Sequence, residues 1–205
     1  MIIVLDTNIL FGDFPMKSGR FAILFDYVQK TQSKFIMPKV VCDELASTYE
    51  RELLERLNKF LRAKGSLADA LFQASLPFVD ISAESETASY LKYVKDKLEV
   101  IDEEIFDYKE SYLHDVMRRA MRRRRPCTER GEEIRDAVLW HSVLDIAQEA
   151  PDKTVVFISH NTKQFASGDN SLHPELLEDC SERGSTVKYY SSLESVRKPR
   201  CQRSR

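Results

Sequence analysis

The sequence predicts an α/β fold built around a mostly parallel β-sheet. Two short, continuously apolar runs, Ile2–Leu5 and Thr154–Ile158, are typical of strands that are buried on both faces. Segments with helical spacing of apolar residues separate these runs, and each run is followed directly by polar residues. The chain has 205 residues, which suffices for one domain with a proper core and a sizeable insertion.

Strands and helices alternate in the first part of the sequence. Its predicted elements are a strand over Ile2–Leu5, a helix over Phe21–Gln29, a strand over Lys34–Met37, and a helix from about Lys39 to near Gly65. Pro38 ends the second strand and suits the start of the next helix, because its missing N–H costs nothing in a first turn. Residues 50–125 are expected to form a mostly helical insertion, with a short helix over Ser66–Ser75, an extended connector over Leu76–Ile81, a helix capped by Ser82 that reaches about Val100, and a helix over Asp102–Met121.

The last third of the sequence carries the strongest strand signal. Thr154–Ile158 is β-branched and apolar, which predicts a central strand, and the largely apolar segment Glu132–Glu149 predicts a buried helix before it. The remaining predicted elements are a short helix after His173-Pro174, an edge strand over Val187–Tyr190, and a short helix capped by Ser191 or Ser192. We expect one domain over residues 1–196, followed by a basic, disordered tail over residues 197–205.

The composition argues against several classes of protein. The formal net charge is −2, with 42% hydrophobic and 31% charged residues, so the chain is not basic throughout as many nucleic-acid-binding proteins are. No apolar run approaches the length of a membrane span, and the N-terminal residues lack the pattern of a signal peptide. The four cysteines form no Cys-x-x-Cys pair, which predicts reduced thiols in a cytoplasmic protein and argues against a zinc site or a disulfide framework.

Three carboxylates fall at equivalent places in the predicted fold. Asp6 follows the first strand, Glu44 lies early in the helix after the second strand, and Asp136 lies early in the helix before the central strand. Right-handed crossovers would bring them to one edge of a parallel sheet, together with Ser159 and Asn161. Clustered carboxylates repel each other unless a cation is present, and Mg²⁺ and Mn²⁺ prefer such oxygen ligands. Taken singly, Asp6 also suits a turn or a helix cap, and Glu44 a solvated helix residue.

An arginine-rich segment precedes Asp136. It contains six arginines and no acid within eight positions, namely Arg118, Arg119, Arg122, Arg123, Arg124 and Arg125. One or two cations at a helix C-terminus are ordinary, but six repel each other unless an anion is nearby. Because guanidinium groups match phosphate oxygens, we expect this segment to hold a polyanion beside the metal. Carboxylates that can bind a metal, together with arginines that can bind phosphates, are typical of a metal-dependent phosphodiester hydrolase.

Four short motifs together resemble the PIN-domain nuclease superfamily, which is shared with flap endonucleases. They are Leu5-Asp6-Thr7-Asn8, Pro38–Leu45, Arg135–Trp140 and Ile158–Phe165. Three further features resemble a larger bacterial PIN-like subgroup with a helical insertion. They are the Arg125-Pro126 pair that precedes Asp136, Trp140, and the Leu172–Leu176 segment. The resemblance covers the first and last thirds of the chain and matches the middle only as a helical insert.

The resemblance implies a three-layer α/β/α fold and an endoribonuclease that depends on Mg²⁺ or Mn²⁺ to hydrolyse RNA. The residues it implies are the catalytic metal ligands Asp6, Glu44 and Asp136, and the supporting polar residues Thr7, Asn8, Ser159 and Asn161. The arginine-rich segment and Arg135 are the expected nucleic-acid-binding residues.

The sequence departs from the family pattern at two positions. PIN nucleases commonly carry a fourth acid after the last core strand, where Asn161 stands here, and Gln164 replaces an Asp that often precedes the aromatic residue. An amide can coordinate a metal through its oxygen but brings no charge. The sequence therefore leaves open whether one or two metal ions bind. The alternatives are a non-catalytic RNA-binding or scaffolding PIN domain and a DNA-directed or flap-type nuclease. The sequence also leaves open a homodimer and control by a protein regulator such as an antitoxin.

Overall fold

A computed structural model describes residues 1–72, 74–78, 80–128, 133–150, 152 and 154–197. Its strands are β1 (Ile2–Leu5), β2 (Lys34–Phe35), β3 (Met37–Pro38), β4 (Ile105–Phe106), β5 (Thr154–Ile158) and β6 (Thr186–Tyr190). Its helices are α1 (Thr7–Phe11), α2 (Gly19–Thr31), α3 (Lys39–Asp69), α4 (Ala83–Leu98), α5 (Tyr112–Arg122), α6 (Ile134–Glu149), α7 (Thr162–Phe165) and α8 (Pro174–Glu182). Short 3₁₀ helices cover Asp102–Glu104 and Leu193–Arg197.

The fold is organised around a four-stranded sheet in the order β2-β1-β5-β6, in which every neighbouring pair is parallel. The inner strands β1 and β5 are apolar because both of their faces are covered, and Ile3, Val4, Val155 and Phe157 are fully buried. Helices flank the sheet, which confirms the predicted three-layer α/β/α fold. The predicted inner position of β5 and the predicted edge position of β6 are also confirmed.

The parallel pairing brings the carboxyl ends of β1 and β5 together. Leu5 lies opposite Ile158 in the register, and the backbone N–H of Asp6 donates to the Ile158 carbonyl at 2.9 Å. The polar residues that follow both strands therefore meet at one edge of the sheet. The predicted cap of α4 is also present, because the Ser82 hydroxyl accepts from the Ser85 backbone N–H at 3.2 Å.

The structure corrects the predicted end of α3. This helix passes through Gly65 and ends only at Asp69, so the expected end near Gly65 and a separate helix over Ser66–Ser75 are both wrong. A glycine inside an exposed helix costs only about 1 kcal/mol relative to alanine. That cost is too small to end a helix that is already propagating from the packed turns before it.

The structure also corrects the segment from Asp102 to Met121, for which one helix was expected. It begins as a 3₁₀ helix and continues as β4, which pairs in parallel with β3. The α-helix of this segment begins only at Tyr112. The predicted strand over Lys34–Met37 is likewise divided into β2 and β3. In both places, pairing with a strand distant in the sequence overrides local preference.

The predicted basic tail lies outside the described residues, except for Arg197 at the end of the second 3₁₀ helix. Within the ranges that the structure describes, none of the helices combines the length and the apolar character needed to cross a membrane.

Candidate active site

Asp6 lies at the centre of the sheet edge where β1 and β5 end. It is only 4% exposed, although it carries a carboxylate. One carboxylate oxygen, Oδ2, accepts from the Asn8 side-chain amide at 2.8 Å and from the Ser159 hydroxyl at 2.5 Å. Both donors orient this oxygen, because a buried carboxylate needs hydrogen bonds to replace its lost hydration.

Asn8 and Ser159 also hold the two strand ends together. The Asn8 amide nitrogen donates to Ser159 Oγ at 3.2 Å, and Asn8 Oδ1 accepts from the His160 backbone N–H at 3.0 Å. The Asn161 backbone N–H donates to Ser159 Oγ at 3.0 Å. The Asp6-Thr7-Asn8 sequence therefore does more than form a turn, because its amide fixes the segment after β1 to the segment after β5.

Glu44 reaches this edge from the second turn of α3. Its Oε2 accepts from the Thr7 hydroxyl at 3.0 Å, and its Oε1 forms an ion pair with Arg135. Asp136 comes from the first turn of α6, and both of its carboxylate oxygens accept from the Asn161 side-chain amide at 3.2 Å. Each of the three predicted carboxylates is therefore oriented by a different polar partner.

The three carboxylates line a single cleft of about 370 Å³. Thr7, Asn8, Arg135 and Asn161 also line it, whereas Ser159 is fully buried beneath. The cleft contains three residues that the sequence did not suggest, namely Phe11, Thr48 and Arg51. Helical spacing from Glu44 could have indicated the last two, because positions four and seven residues later lie on the same face.

Burial and mutual repulsion raise the pKa values of two of these carboxyls. The pKa of Asp6 is raised chiefly by burial, with a contribution from the charge of Glu44, and the Ser159 hydrogen bond opposes the shift. Burial, followed by the charge of Asp6, raises the pKa of Asp136 to about 7, against the opposing hydrogen bond from Asn161. Without a cation, Asp136 therefore keeps its proton to a higher pH than an exposed aspartate does.

The donor chemistry of the cleft fits a hard divalent ion. Its acidic groups are carboxylates that repel one another, and a cation would remove that repulsion. Among the described residues, however, no three His, Cys, Asp or Glu side chains converge closely enough to form a ready ligand set. Glu44 is held by Thr7 and Arg135, and Asp136 by Asn161. The residues that fit the ion are present in one cleft, and their side chains are oriented by protein partners.

The raised pKa of Asp136 predicts that the metal-free protein becomes less stable as the pH rises. Between about pH 4 and pH 7 the folded protein keeps a proton on Asp136 that the unfolded chain has lost, so rising pH favours unfolding. In EDTA, we expect the Asp136 carboxyl to lower the free energy of unfolding by a few kcal/mol across this pH range, because each unit of pKa shift corresponds to ~1.4 kcal/mol. Urea unfolding at several pH values across this window, for the wild type and Asp136→Asn, measures the difference. The two proteins differ in this carboxyl and in its repulsion of Asp6 and Glu44, so equal slopes would contradict the prediction.

The structure divides the arginine-rich segment into paired and free side chains. Arg119 and Arg124 form ion pairs with Asp179, at 2.6 and 3.1 Å. Arg118 pairs with Asp115, and the Arg125 guanidinium donates to the Lys163 carbonyl.

The side chains of Arg122 and Arg123 are exposed, and neither forms an ion pair or a hydrogen bond with another described residue. Arg135 lies apart from the arginine-rich segment, in the cleft itself. The phosphate-binding capacity that the sequence suggested therefore rests on fewer arginines than six, because several are used to hold the protein together.

A family model described as a PIN domain matches residues 3–165 of the chain. The chain belongs to the PIN-domain family. The match runs from β1 to α7 and includes Asp6, Glu44, Asp136 and Asn161. No curated protein and no solved structure matches the chain. PIN domains are generally nucleases that bind nucleic acids and usually use divalent metal ions.

Proposed function

We propose that this PIN domain is a metal-dependent endoribonuclease. The observation that carries the proposal is that carboxylates from three separate elements line one cleft at the carboxyl edge of the sheet. Two of these carboxyls have raised pKa values, so the protein bears an electrostatic cost that a cation would offset. Side chains with strongly shifted pKa values occur preferentially at functional sites.

In this proposal Asp6, Glu44 and Asp136 hold Mg²⁺ or Mn²⁺. The ion, when bound, lowers the pKa of a water molecule and stabilises charge on phosphate oxygens. Asn8 and Ser159 orient Asp6, the Thr7 hydroxyl orients Glu44, and the Asn161 amide orients Asp136. Such fixed partners reduce the reorganisation that the carboxylates must undergo when they bind a cation.

Arg135 and Arg51 supply the positive charge within the cleft that a phosphodiester would meet. Arg135 now pairs with Glu44, so a phosphate that attracts this guanidinium would free a carboxylate oxygen of Glu44 for the metal. Outside the cleft, Arg122 and Arg123 are the exposed members of the arginine-rich segment whose side chains form no ion pair with another described residue, and we assign them to the more distant phosphates. The preference for RNA rests on the family resemblance of the sequence.

The experiment is cleavage of RNA and DNA substrates of identical sequence and structure with Mn²⁺, Mg²⁺ or EDTA. We expect RNA to be cut internally with a divalent ion and to remain intact in EDTA. Preferential cutting of DNA would favour the flap-type alternative. Binding of RNA without cleavage would favour a non-catalytic PIN domain, for which the specific observation is Asn161 at the position of the fourth family acid.

Asn161→Asp is expected to increase the dependence of stability on metal. The change replaces a donor that binds both oxygens of Asp136 with a fourth carboxylate facing it. In EDTA near neutral pH, we expect a loss of about 2 kcal/mol, since a hydrogen bond to a charged group is lost and a repulsion is added. Mn²⁺ should then raise the melting temperature more than in the wild type. Asn161→Ala, which removes the donor without adding charge, is the control, and an equal response to Mn²⁺ in both variants would contradict the prediction.

A further inference from the structure

A second cavity lies next to the candidate active site. It has a volume of about 290 Å³ and is formed by residues from α1, α2, the second 3₁₀ helix and the segments after α1 and β5. We call it the side cavity. Its lining includes three apolar and three polar side chains, namely Ile9, Phe21, Leu193, Asp13, Arg20 and His160.

The side cavity and the cleft share a wall. In the segment after β1, Asn8 lines the cleft and Ile9 lines the side cavity. In the segment after β5, Asn161 lines the cleft and His160 lines the side cavity. The His160 backbone N–H donates to Asn8 Oδ1 at 3.0 Å and joins the two segments at this wall. Because neighbouring Cα atoms are only about 3.8 Å apart, a strand in the cleft reaches the side cavity within about one nucleotide.

The inner lining of the side cavity is apolar. Ile9, Phe21 and Leu193 are between 1% and 3% exposed, so they form its floor. His160 and Arg20 are exposed and therefore lie at its mouth. Pockets that bind organic ligands have this composition, in which apolar surface supplies most of the contact and a few polar groups orient the ligand.

The charges around the side cavity suit an uncharged group better than a phosphate. The Arg20 guanidinium pairs with Glu194 at 2.8 Å, and Asp13 adds a carboxylate to the lining, so positive charge is not in excess. The Nδ1 atom of His160 lies 2.7 Å from the Ser191 carbonyl oxygen, which can only accept a hydrogen bond. In the neutral ring Nδ1 therefore carries the proton, and Nε2 is an acceptor. A flat, uncharged nucleobase with a polar edge matches an apolar floor and a polar mouth.

We propose that the side cavity binds one unpaired nucleobase of the RNA, from the nucleotide next to the phosphate that lies in the cleft. The proposal rests on the proposed nuclease function for the identity of the strand. A base that is paired and stacked within a duplex cannot enter a pocket, so the base next to the cut must be unpaired.

The first test is a scan of a short single-stranded RNA in which each nucleotide in turn is made abasic. Binding to the full chain is measured by fluorescence anisotropy in EDTA, and the same RNAs with Mn²⁺ locate the cut. We expect one abasic position, within about two nucleotides of the cut, to weaken binding by about tenfold, which is typical of the loss of one bound base. If no position is sensitive, the proposal is wrong.

A substitution that fills the side cavity tests the assignment of that base. Gly12 lines the cavity, is exposed and has a φ of −67°, so a larger side chain there adds bulk without backbone strain. A Cβ atom at Gly12 would lie 3.7 Å from the Asn8 carbonyl oxygen, which is an ordinary contact. The matched control is Gly19, the first residue of α2, which is exposed and where a Cβ would meet no described atom within 4 Å.

Gly12→Leu should bind the intact RNA about as weakly as the wild type binds the sensitive abasic RNA, and the abasic change should then have little further effect. Gly19→Leu should behave like the wild type, and melting temperatures should show that both variants are folded. Equal sensitivity to the abasic nucleotide in the wild type and Gly12→Leu would overturn the proposal. Because binding is measured in EDTA, a sensitive position in an RNA that Mn²⁺ never causes to be cut would support the side cavity and contradict only the proposed nuclease function.

Discussion

Asp136→Asn is expected to lower kcat/KM for RNA cleavage by about 100-fold or more, since a metal centre supplies several kcal/mol of transition-state stabilisation. Asp136 lines the cleft beside Asp6 and Glu44, and its pKa is raised first by burial and then by the charges of these two neighbours. An amide at position 136 keeps the size of the side chain but removes the charge that would hold the cation. The variant should stay folded, because it also removes a repulsion. Initial rates on one RNA substrate, with melting temperatures in parallel, measure both effects.

The adjacent pair Asp43 and Glu44 provides a matched control. Both are acids in the second turn of α3, but Glu44 lines the cleft, whereas Asp43 is exposed and pairs with Lys39 at 3.5 Å. Glu44→Gln should reduce cleavage strongly, and Asp43→Asn should leave it within about twofold, as expected of a surface change. Equal loss of cleavage in the two variants would mean that cleavage depends on any acid in this turn of α3 and not on the position of Glu44 in the cleft.

Asp179→Ala is expected to cause the largest loss of stability. Asp179 is 4% exposed, and its carboxylate accepts from Trp140 Nε1 at 2.8 Å, Arg119 at 2.6 Å and Arg124 at 3.1 Å. It joins α8 to the buried helix α6 and to the segment around α5. Its removal leaves the largely buried Arg119 guanidinium without its carboxylate partner and the Trp140 indole N–H without an acceptor, which costs about 3–5 kcal/mol. For a chain of this size that corresponds to a fall in melting temperature of about 10 °C.

Glu178 provides the control for this effect, because it is the neighbouring acid and contacts the same arginine. Its carboxylate lies 3.5 Å from Arg124, but its side chain is 67% exposed. Glu178→Ala should change the free energy of unfolding by less than about 1 kcal/mol, as exposed ion pairs generally do. Thermal or urea unfolding of the two variants measures the contrast, and similar losses in both would contradict the structural role of Asp179.

Most of the sheet could be predicted from the sequence. The inner strands are continuous apolar runs, since both of their faces are covered, and that pattern is visible without any knowledge of tertiary contacts. The carboxylates could be assigned to one edge for a related reason, because parallel strands connected by helices present their carboxyl ends together. Asp6 and Asp136 are therefore found in one cleft as the sequence predicted, with Glu44 beside them.

Features that depend on distant partners could not be predicted. The short strand β4 exists only because β3 lies beside it, and its two residues carry no clear strand pattern of their own. The ion pairs of Arg119 and Arg124 depend on Asp179, which lies 60 and 55 residues away in the sequence. The dense run of arginines therefore suggested a phosphate-binding surface, although Arg119 and Arg124 neutralise the buried Asp179.

The hydrogen-bond partners within the site lie between these two cases. Thr7, Asn8 and Ser159 could be placed near the carboxylates from their positions after the strands, and the structure shows which oxygen each of them contacts. Arg135, by contrast, was expected to contact nucleic acid, and it pairs with Glu44 here. The sequence indicates which groups share the edge of the sheet, but side-chain pairing is decided by packing and charge within the cleft.

Calorimetric titration of Mn²⁺ into the wild type and into Asp6→Asn, Glu44→Gln and Asp136→Asn tests the proposed metal site most directly. Each of the three carboxylates is proposed to hold the ion, so the wild type should bind Mn²⁺ and each variant should bind it at least about tenfold more weakly, while Asp43→Asn binds like the wild type. Equal Mn²⁺ affinity in the wild type and in all three variants would contradict the assignment of this cleft as the metal site.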